Sequence, residues 1–106
     1  MNAQNHTDNR VSILAIYHIK QGQKLHVKSL MQEMADASSN ESGNLLYQLN
    51  ISDSQPDKLF IFETYENQEA LDLHKQSSYY QNIVAVKVAD LLACKEVFIL
   101  NPLSIS

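Results

Sequence analysis

Cysteine is nearly absent, with Cys94 the only one in 106 residues. That excludes an intrachain disulfide and any metal site built on several thiolates. Cationic residues are also few, 8 Lys and Arg against 12 Asp and Glu, for a net charge of −4. They are spread along the chain, so no basic patch offers phosphate contacts and nucleic acid is not an expected partner. No apolar run approaches the roughly 20 residues that span a bilayer. The polar opening, MNAQNHTDNR, lacks the apolar core of a signal peptide. The expectation is a cytoplasmic protein with no membrane partner, and the N-x-S patterns at Asn40 and Asn50 then carry no weight.

Reaction motifs are missing as well. There is no G-x-G-x-x-G after the first strand and no G-x-x-x-x-G-K-[ST], so nucleotide cradling has no support. His6, His18, His26 and His74 fall in different elements without H-x-x-x-H or H-x-x-E spacing, and no metal site is expected. No G-x-S-x-G occurs, and Cys94 has no sequence-local base, so nucleophilic catalysis is not indicated. An enzyme of this composition is expected to need no cofactor and to work by proton transfer.

Hydrophobic residues make up 44% and charged residues 19%, enough to bury a core in one domain. A core this small is marginal, and a dimer sharing its sheet relieves the shortage. VSILAIYHI, 11–19, alternates as a strand, with Val11, Ile13, Ala15, Tyr17 and Ile19 on one face. Leu14 and Ile16 on the other face predict that both sides are covered. After Gly22 the period becomes helical, and Val27, Leu30, Met31, Met34 and Ala35 form one stripe. SSNESG, 38–43, ends that helix with Gly43 as a turn residue.

NLLYQLNI, 44–51, reads as a strand, 52–57 as a loop containing Pro56, and KLFIFETY, 58–65, as a third strand antiparallel to the second. Asn67 is the expected N-cap of a short helix with Glu69 in its first turn. Ser78 and Gln81 resemble a capping box for another helix, with Tyr80, Ile83, Val84, Val88 and Leu91 as its buried stripe. KEVFIL, 95–100, closes the order β-α-β-β-α-β. This is an α+β, ferredoxin-like antiparallel sheet with helices on one face. The domain is expected over 11–100, between a disordered tail at 1–10 and a C-terminal tail at 101–106. A homodimer through the free sheet face is expected.

Two residues break these patterns. His74 shares the packing face of its helix with Ala70 and Leu71, and Glu63 is the one charged residue within LFIFETY. His74 reads either as a hydrogen-bonded core histidine or as a base whose pKa near 6.5 suits proton removal at neutral pH. A buried carboxylate is costly unless bonded, so Glu63 pairs with a neighbour, orients His74 or a substrate hydroxyl, or does both. Tyr65 and Tyr47 are strand aromatics with a polar tip that would stack on a planar substrate in a pocket. Asn44 serves the turn into the second strand or the site. Tyr17 and His18 point to opposite faces, so at most one reaches the same pocket.

ETYENQEALDLH, 63–74, resembles the antibiotic biosynthesis monooxygenase (ABM) family, whose pattern of strand, Glu, x, Trp or Tyr, then Ala or Leu and His is met by Glu63, Tyr65, Ala70, Leu71 and His74. KQSSYY, SGNLLYQL and IYHIKQGQ resemble its polar turn with aromatic pair, its second-strand entry and its first strand, although Ser42 stands where the entry often has a glutamate. The resemblance covers about 11–100. It implies a dimeric α+β barrel, filled by residues such as Phe60 and Phe62, and a pocket between sheet and helices.

The activities it implies are cofactor-free oxygenation of quinols and phenols, heme degradation, and isomerisation of a phosphorylated dicarbonyl. The Asn, Trp and His of the heme-degrading branch fall on Ala15, His74 and Val84, which disfavours heme. Leu46 stands where the isomerase branch places an arginine. The leading expectation is therefore a cofactor-independent monooxygenase of a small quinol or enolisable aromatic, with His74 and Glu63 catalytic and Tyr65, Tyr47 and Asn44 binding substrate. The alternatives are an isomerase of a small hydroxy-dicarbonyl and a non-catalytic binding dimer.

Overall fold

A computed structural model describes residues 8–103. Residues 1–7 of the expected 1–10 tail, His6 among them, lie outside the described residues, as do residues 104–106. The elements are β1 (Val11–Ile19), α1 (Lys24–Ser38), β2 (Asn44–Ser52), β3 (Gln55–Tyr65), α2 (Gln68–Gln76), α3 (Tyr80–Val88, wound as a π-helix), a 3₁₀ turn (Ala89–Leu91) and β4 (Leu92–Leu100). One antiparallel sheet is ordered β2-β3-β1-β4, the ferredoxin-like arrangement.

Alternation in β1 and β3 sorts the sheet into two faces. Val11, Ile13, Ala15, Tyr17 and Ile19 are buried, as are Leu59, Ile61, Glu63 and Tyr65 beside them. The stripe Val27, Leu30, Met31, Met34 and Ala35 of α1 covers this face together with Leu71 of α2 and Ile83, Val84 and Val88 of α3. The opposite face carries Leu14, Ile16, Phe60 and Phe62, which are only half-buried, beside the exposed Leu46, Phe98 and Leu100. Among the described residues, the cover expected on both sides of β1 is therefore complete on one side only.

Several boundaries differ from the sequence reading, each for a local reason. The loop at 52–57 is a two-residue turn, because Ser52 pairs with Gln55, and β3 starts ahead of Pro56. Proline is tolerated there because the β1 pairing of β3 begins only at Lys58. The cap after α2 is Ser77 and not Ser78. Its hydroxyl accepts from the Tyr80 N–H at 3.2 Å and donates to the His74 carbonyl at 2.7 Å. Tyr80 and Leu91 are half-buried, unlike Ile83, Val84 and Val88. β4 begins at Leu92, three residues early, because Ile19 of β1 pairs with it across a bulge.

Gly22 sits at φ +82°, the left-handed turn that joins β1 to α1. Gly43 has no such angle and is needed for a different reason. A Cβ there would lie 2.4 Å from Ala70 Cβ, so glycine lets the start of β2 press against α2. The Gly43 carbonyl also accepts from Glu66 N–H at 2.9 Å. These contacts dock α2, and with it His74, against the β2 entry.

Candidate active site

His74 lies in the last turn of α2, with 2% of its surface exposed. Asn67 caps the helix by accepting from Ala70 N–H at 2.8 Å, and Ser77 bonds the His74 carbonyl through both its N–H and its hydroxyl. The short helix that carries His74 is thus capped at both ends. Four tyrosine rings surround it, with centroids at 5.0 Å (Tyr65), 5.4 Å (Tyr80), 6.0 Å (Tyr47) and 6.4 Å (Tyr79). Tyr79 and Tyr80 are consecutive, and both reach the ring at the entry to the π-helix α3, a winding often found at functional sites.

Each ring nitrogen faces a carboxyl group. Nδ1 lies 3.0 Å and 3.2 Å from the two oxygens of Glu41, which also accepts the Tyr79 hydroxyl. A carboxylate can only accept, so this arrangement places the imidazole hydrogen on Nδ1 and the lone pair on Nε2. Nε2 lies 3.6 Å from Glu63 Oε1, and Tyr65 donates its hydroxyl to that same oxygen at 2.8 Å. The array runs Tyr79, Glu41, His74, Glu63, Tyr65.

Burial sets the proton affinities. It pushes the Glu63 carboxyl up to about 7, against the opposing hydrogen bond from Tyr65. It pushes His74 below its ordinary 6.5, a shift that Glu41 partly resists. Near neutral pH His74 is therefore uncharged, and Glu63 stands close to its titration point. Tyr17, Tyr47 and Tyr65 are held well above the usual phenol range, chiefly by burial, so they donate hydrogen bonds and keep their protons. Tyr79 is raised to about 12 by burial and by Glu41.

Two cavities meet at the imidazole. The larger, about 320 Å³, lies on the Nδ1 side between the β2 entry and α2 and is lined by Glu41, Glu66, Glu69 and Tyr79. The smaller, about 220 Å³, lies on the Nε2 side and is lined by Ala15, Tyr17, Glu63, Tyr80, Lys75 and Lys95. The lone pair opens on the smaller cavity, so that is where a proton can be taken from a ligand.

Of the residues singled out from sequence, the structure brings His74, Glu63, Tyr65 and Tyr47 together. Tyr65 is fully buried and holds Glu63, which leaves no ring face for a ligand. Asn44 lines neither cavity, and its amide donates to the Leu46 carbonyl at 3.1 Å. Tyr17 faces the site, while His18 pairs with Glu96 at 2.7 Å on the opposite sheet face. Sequence reasoning missed Glu41, Tyr79, Tyr80, Lys75 and Lys95. The lone carboxylate in SSNESG was the available signal for Glu41. Among the described residues, no three His, Cys, Asp or Glu side chains are grouped to hold a metal ion, and no helix is long and apolar enough to cross a membrane.

A buried histidine flanked by carboxyl groups thus lies between a ferredoxin-like sheet and its helices. The sequence model of the antibiotic biosynthesis monooxygenase (ABM) family matches residues 10–86, and the chain belongs to that family. An uncharacterized protein of Synechocystis, sll1783, is 28% identical over 86 residues, which are 81% of this chain and 58% of that protein. The chain thus spans a little over half of that relative's length. The structure of Rv0793 from Mycobacterium tuberculosis superposes with a TM-score of 0.83 at 28% identity, covering 92% of this chain and 98% of that one. SO0527 from Shewanella oneidensis gives a TM-score of 0.84 at 18% identity over 89% and 91% of the two chains, a likeness of fold.

Proposed function

We propose that this protein is a cofactor-independent monooxygenase of a small quinol or enolisable aromatic, with His74 and Glu63 as the proton-handling pair. The observation that carries the reading is the buried His74, held at Nδ1 by Glu41, with Nε2 free beside Glu63 at the wall of a cavity. A hydroxyl in that cavity gives its proton to Nε2. Glu63, titrating near 7, shares that proton and spares the site a lone buried imidazolium.

The resulting anion is electron-rich enough to pass one electron to dioxygen. Recombination of the radical pair forms a C–O bond and a peroxide, which takes the stored proton. Loss of water then leaves a carbonyl at the oxygenated carbon, so one oxygen atom ends in product and one in water. Tyr17 and Tyr80 wall the ring, Tyr47 lines neither cavity and packs on the His74 imidazole instead, and Tyr65 positions Glu63. Asn44 is assigned to the β2 turn in this scheme.

The test is oxygen uptake with a panel of hydroquinones, naphthols and dicarbonyls, comparing wild type with His74→Ala. Uptake is expected with at least one quinol, falling about 100-fold or more in the variant. Turnover without oxygen uptake assigns isomerisation instead. Activity unchanged in His74→Ala removes the base from the scheme.

The free sheet face supports a homodimer. Leu14, Ile16, Phe60, Phe62 and Phe98 form one apolar surface that no helix among the described residues covers. Burying it against a second copy closes two sheets into a barrel and enlarges a marginal core. Sedimentation at micromolar concentration is expected to give twice the chain mass of 12.0 kDa. A monomer mass there would reject the shared-sheet arrangement.

A further inference from the structure

The two cavities at His74 carry opposite charge. On the Nδ1 side, Glu41, Glu66 and Glu69 line the wall, and the ring nitrogen there is already occupied by Glu41. On the Nε2 side the wall carries Lys75 and Lys95. Neither lysine has a carboxylate partner within 4.0 Å among the described residues, whose ion pairs involve only Arg10, His18 and His74. Lys75 follows His74 in α2, and its charge is felt at both His74 and Glu63. Lys95 comes from a different element. Its register partner on β1 is Tyr17, which puts it on the sheet face of the site. Two cations from separate elements therefore converge on the cavity that receives the lone pair.

Size restricts what can enter. A cavity of about 150 Å³ in another protein takes up one benzene molecule. The 220 Å³ here suits one six-membered ring with substituents. The cations also have a chemical preference. A phosphate is best held by a guanidinium fork or a backbone nest, whereas lysine is a single point charge on a flexible stem. Arg10 is the chain's one arginine, and it pairs with Asp8 at 2.6 Å and lines a different pocket, between β1, β3 and β4. Without a guanidinium or a nest the two lysines supply charge alone, and a carboxylate is the smallest anionic arm that fits beside a ring in this volume.

We propose that the Nε2-side cavity takes a single-ring phenol or enol bearing a carboxylate, with Lys75 and Lys95 meeting the carboxylate while the reacting hydroxyl points to His74. The proposal names the substrate class for the monooxygenase reading above and rests on it for the identity of the reacting group. Glu63 then has a second effect. Once ionised it repels a carboxylate placed deep in the cavity, so the anionic arm lies outward at the lysines and the hydroxyl inward. The same charges fix which end of the ring reacts.

The test is anaerobic equilibrium binding of a matched pair, hydroquinone and 2,5-dihydroxybenzoate, to wild type and to a Lys75→Gln, Lys95→Gln double variant. Both lysines are exposed, so the variant keeps the fold. In wild type at low salt the carboxylated ligand is expected to bind about tenfold more tightly, as two partly exposed ion pairs allow. That ratio should shrink with added salt and fall to about one in the double variant. Equal affinities in wild type, a preference that survives in the double variant, or no binding of either ligand at millimolar concentration would each overturn the proposal. Oxygen uptake on the same pair separates it from the reading beneath it. A carboxylate preference without uptake rejects the monooxygenase alone, and uptake without the preference rejects the substrate class alone.

Discussion

Replacing Glu63 with Gln is expected to abolish turnover and, at pH 8, to make the protein more stable. The carboxyl titrates at about 7 in the folded chain against 4.5 unfolded, because burial penalises its charged form. Between those values the native state holds more protons than the unfolded state, so this group's contribution to stability declines as pH rises through the interval. A carboxyl moved from 4.5 to about 7 corresponds to about 3 kcal/mol, present below pH 4.5 and lost above pH 7. Gln at position 63 does not titrate, and its partners can be satisfied. Its carbonyl can accept the Tyr65 hydroxyl, and its amide can donate to His74 Nε2.

Thermal melts at fixed protein concentration are therefore expected to coincide near pH 4.5 and to separate by on the order of 10 °C at pH 8, with Glu63→Gln the higher. His74 acts in the opposite sense in both proteins. Its depressed folded pKa contributes stability above 6.5 that is lost as pH falls through and below that value. In wild type, turnover should rise with pH through about 7, as Glu63 becomes able to share the proton. A variant less stable than wild type at pH 8 would show that Glu63 is not held against its own charge, and one that stays active would remove it from the proton-handling pair.

Much of the fold is legible in the sequence because its elements are held by one-sided burial. The alternation of Val11, Ile13, Ala15, Tyr17 and Ile19 and the stripe from Val27 to Ala35 each give the right element with the right face down. What misled is local chemistry that tertiary context overrides. Pro56 signals a loop, yet it lies in β3 ahead of the β1 pairing and has no neighbour there to donate to. The spacing of Tyr80, Ile83, Val84 and Val88 fits an α-helix, yet the segment is wound with π spacing, which periodicity does not reveal.

The site was half legible. Glu63 and His74 stand out as polar residues on apolar faces, since burial of such groups leaves a mark in the pattern. Glu41 leaves only a faint one, a single carboxylate in a polar loop 33 residues from the histidine it holds. It also stands one place before Ser42, where the family resemblance looks for a glutamate. Lys75 and Lys95 are exposed, and nothing in a linear pattern says that two solvated lysines share one cavity rim.

That hidden residue carries the other large effect. Glu41→Gln preserves volume but replaces a group that only accepts with one that also donates. Glu41 now accepts from both His74 Nδ1–H and the Tyr79 hydroxyl. A glutamine can turn its carbonyl toward these donors, or it can turn its amide toward His74. In the second case Nδ1 becomes the acceptor, the hydrogen moves to Nε2, and the lone pair leaves the cavity that receives substrate. Where an orienting carboxylate behind a catalytic histidine is neutralised with its geometry intact, the wrong tautomer costs about 10⁴-fold in kcat. Here a fall of about 10³–10⁴ in kcat is expected, with KM little changed, because Glu41 does not line the Nε2-side cavity. A second readout separates positioning from mere structural support. Glu41 holds the proton affinity of His74 up against burial, so its loss should drive that affinity lower still. Residual activity should then show its His74 limb displaced to lower pH, while circular dichroism stays native. A loss of activity that only tracks loss of folded protein, with the pH profile unmoved, would reduce Glu41 to a structural contact. The working base would then be Glu63, the buried carboxyl that already titrates at about 7.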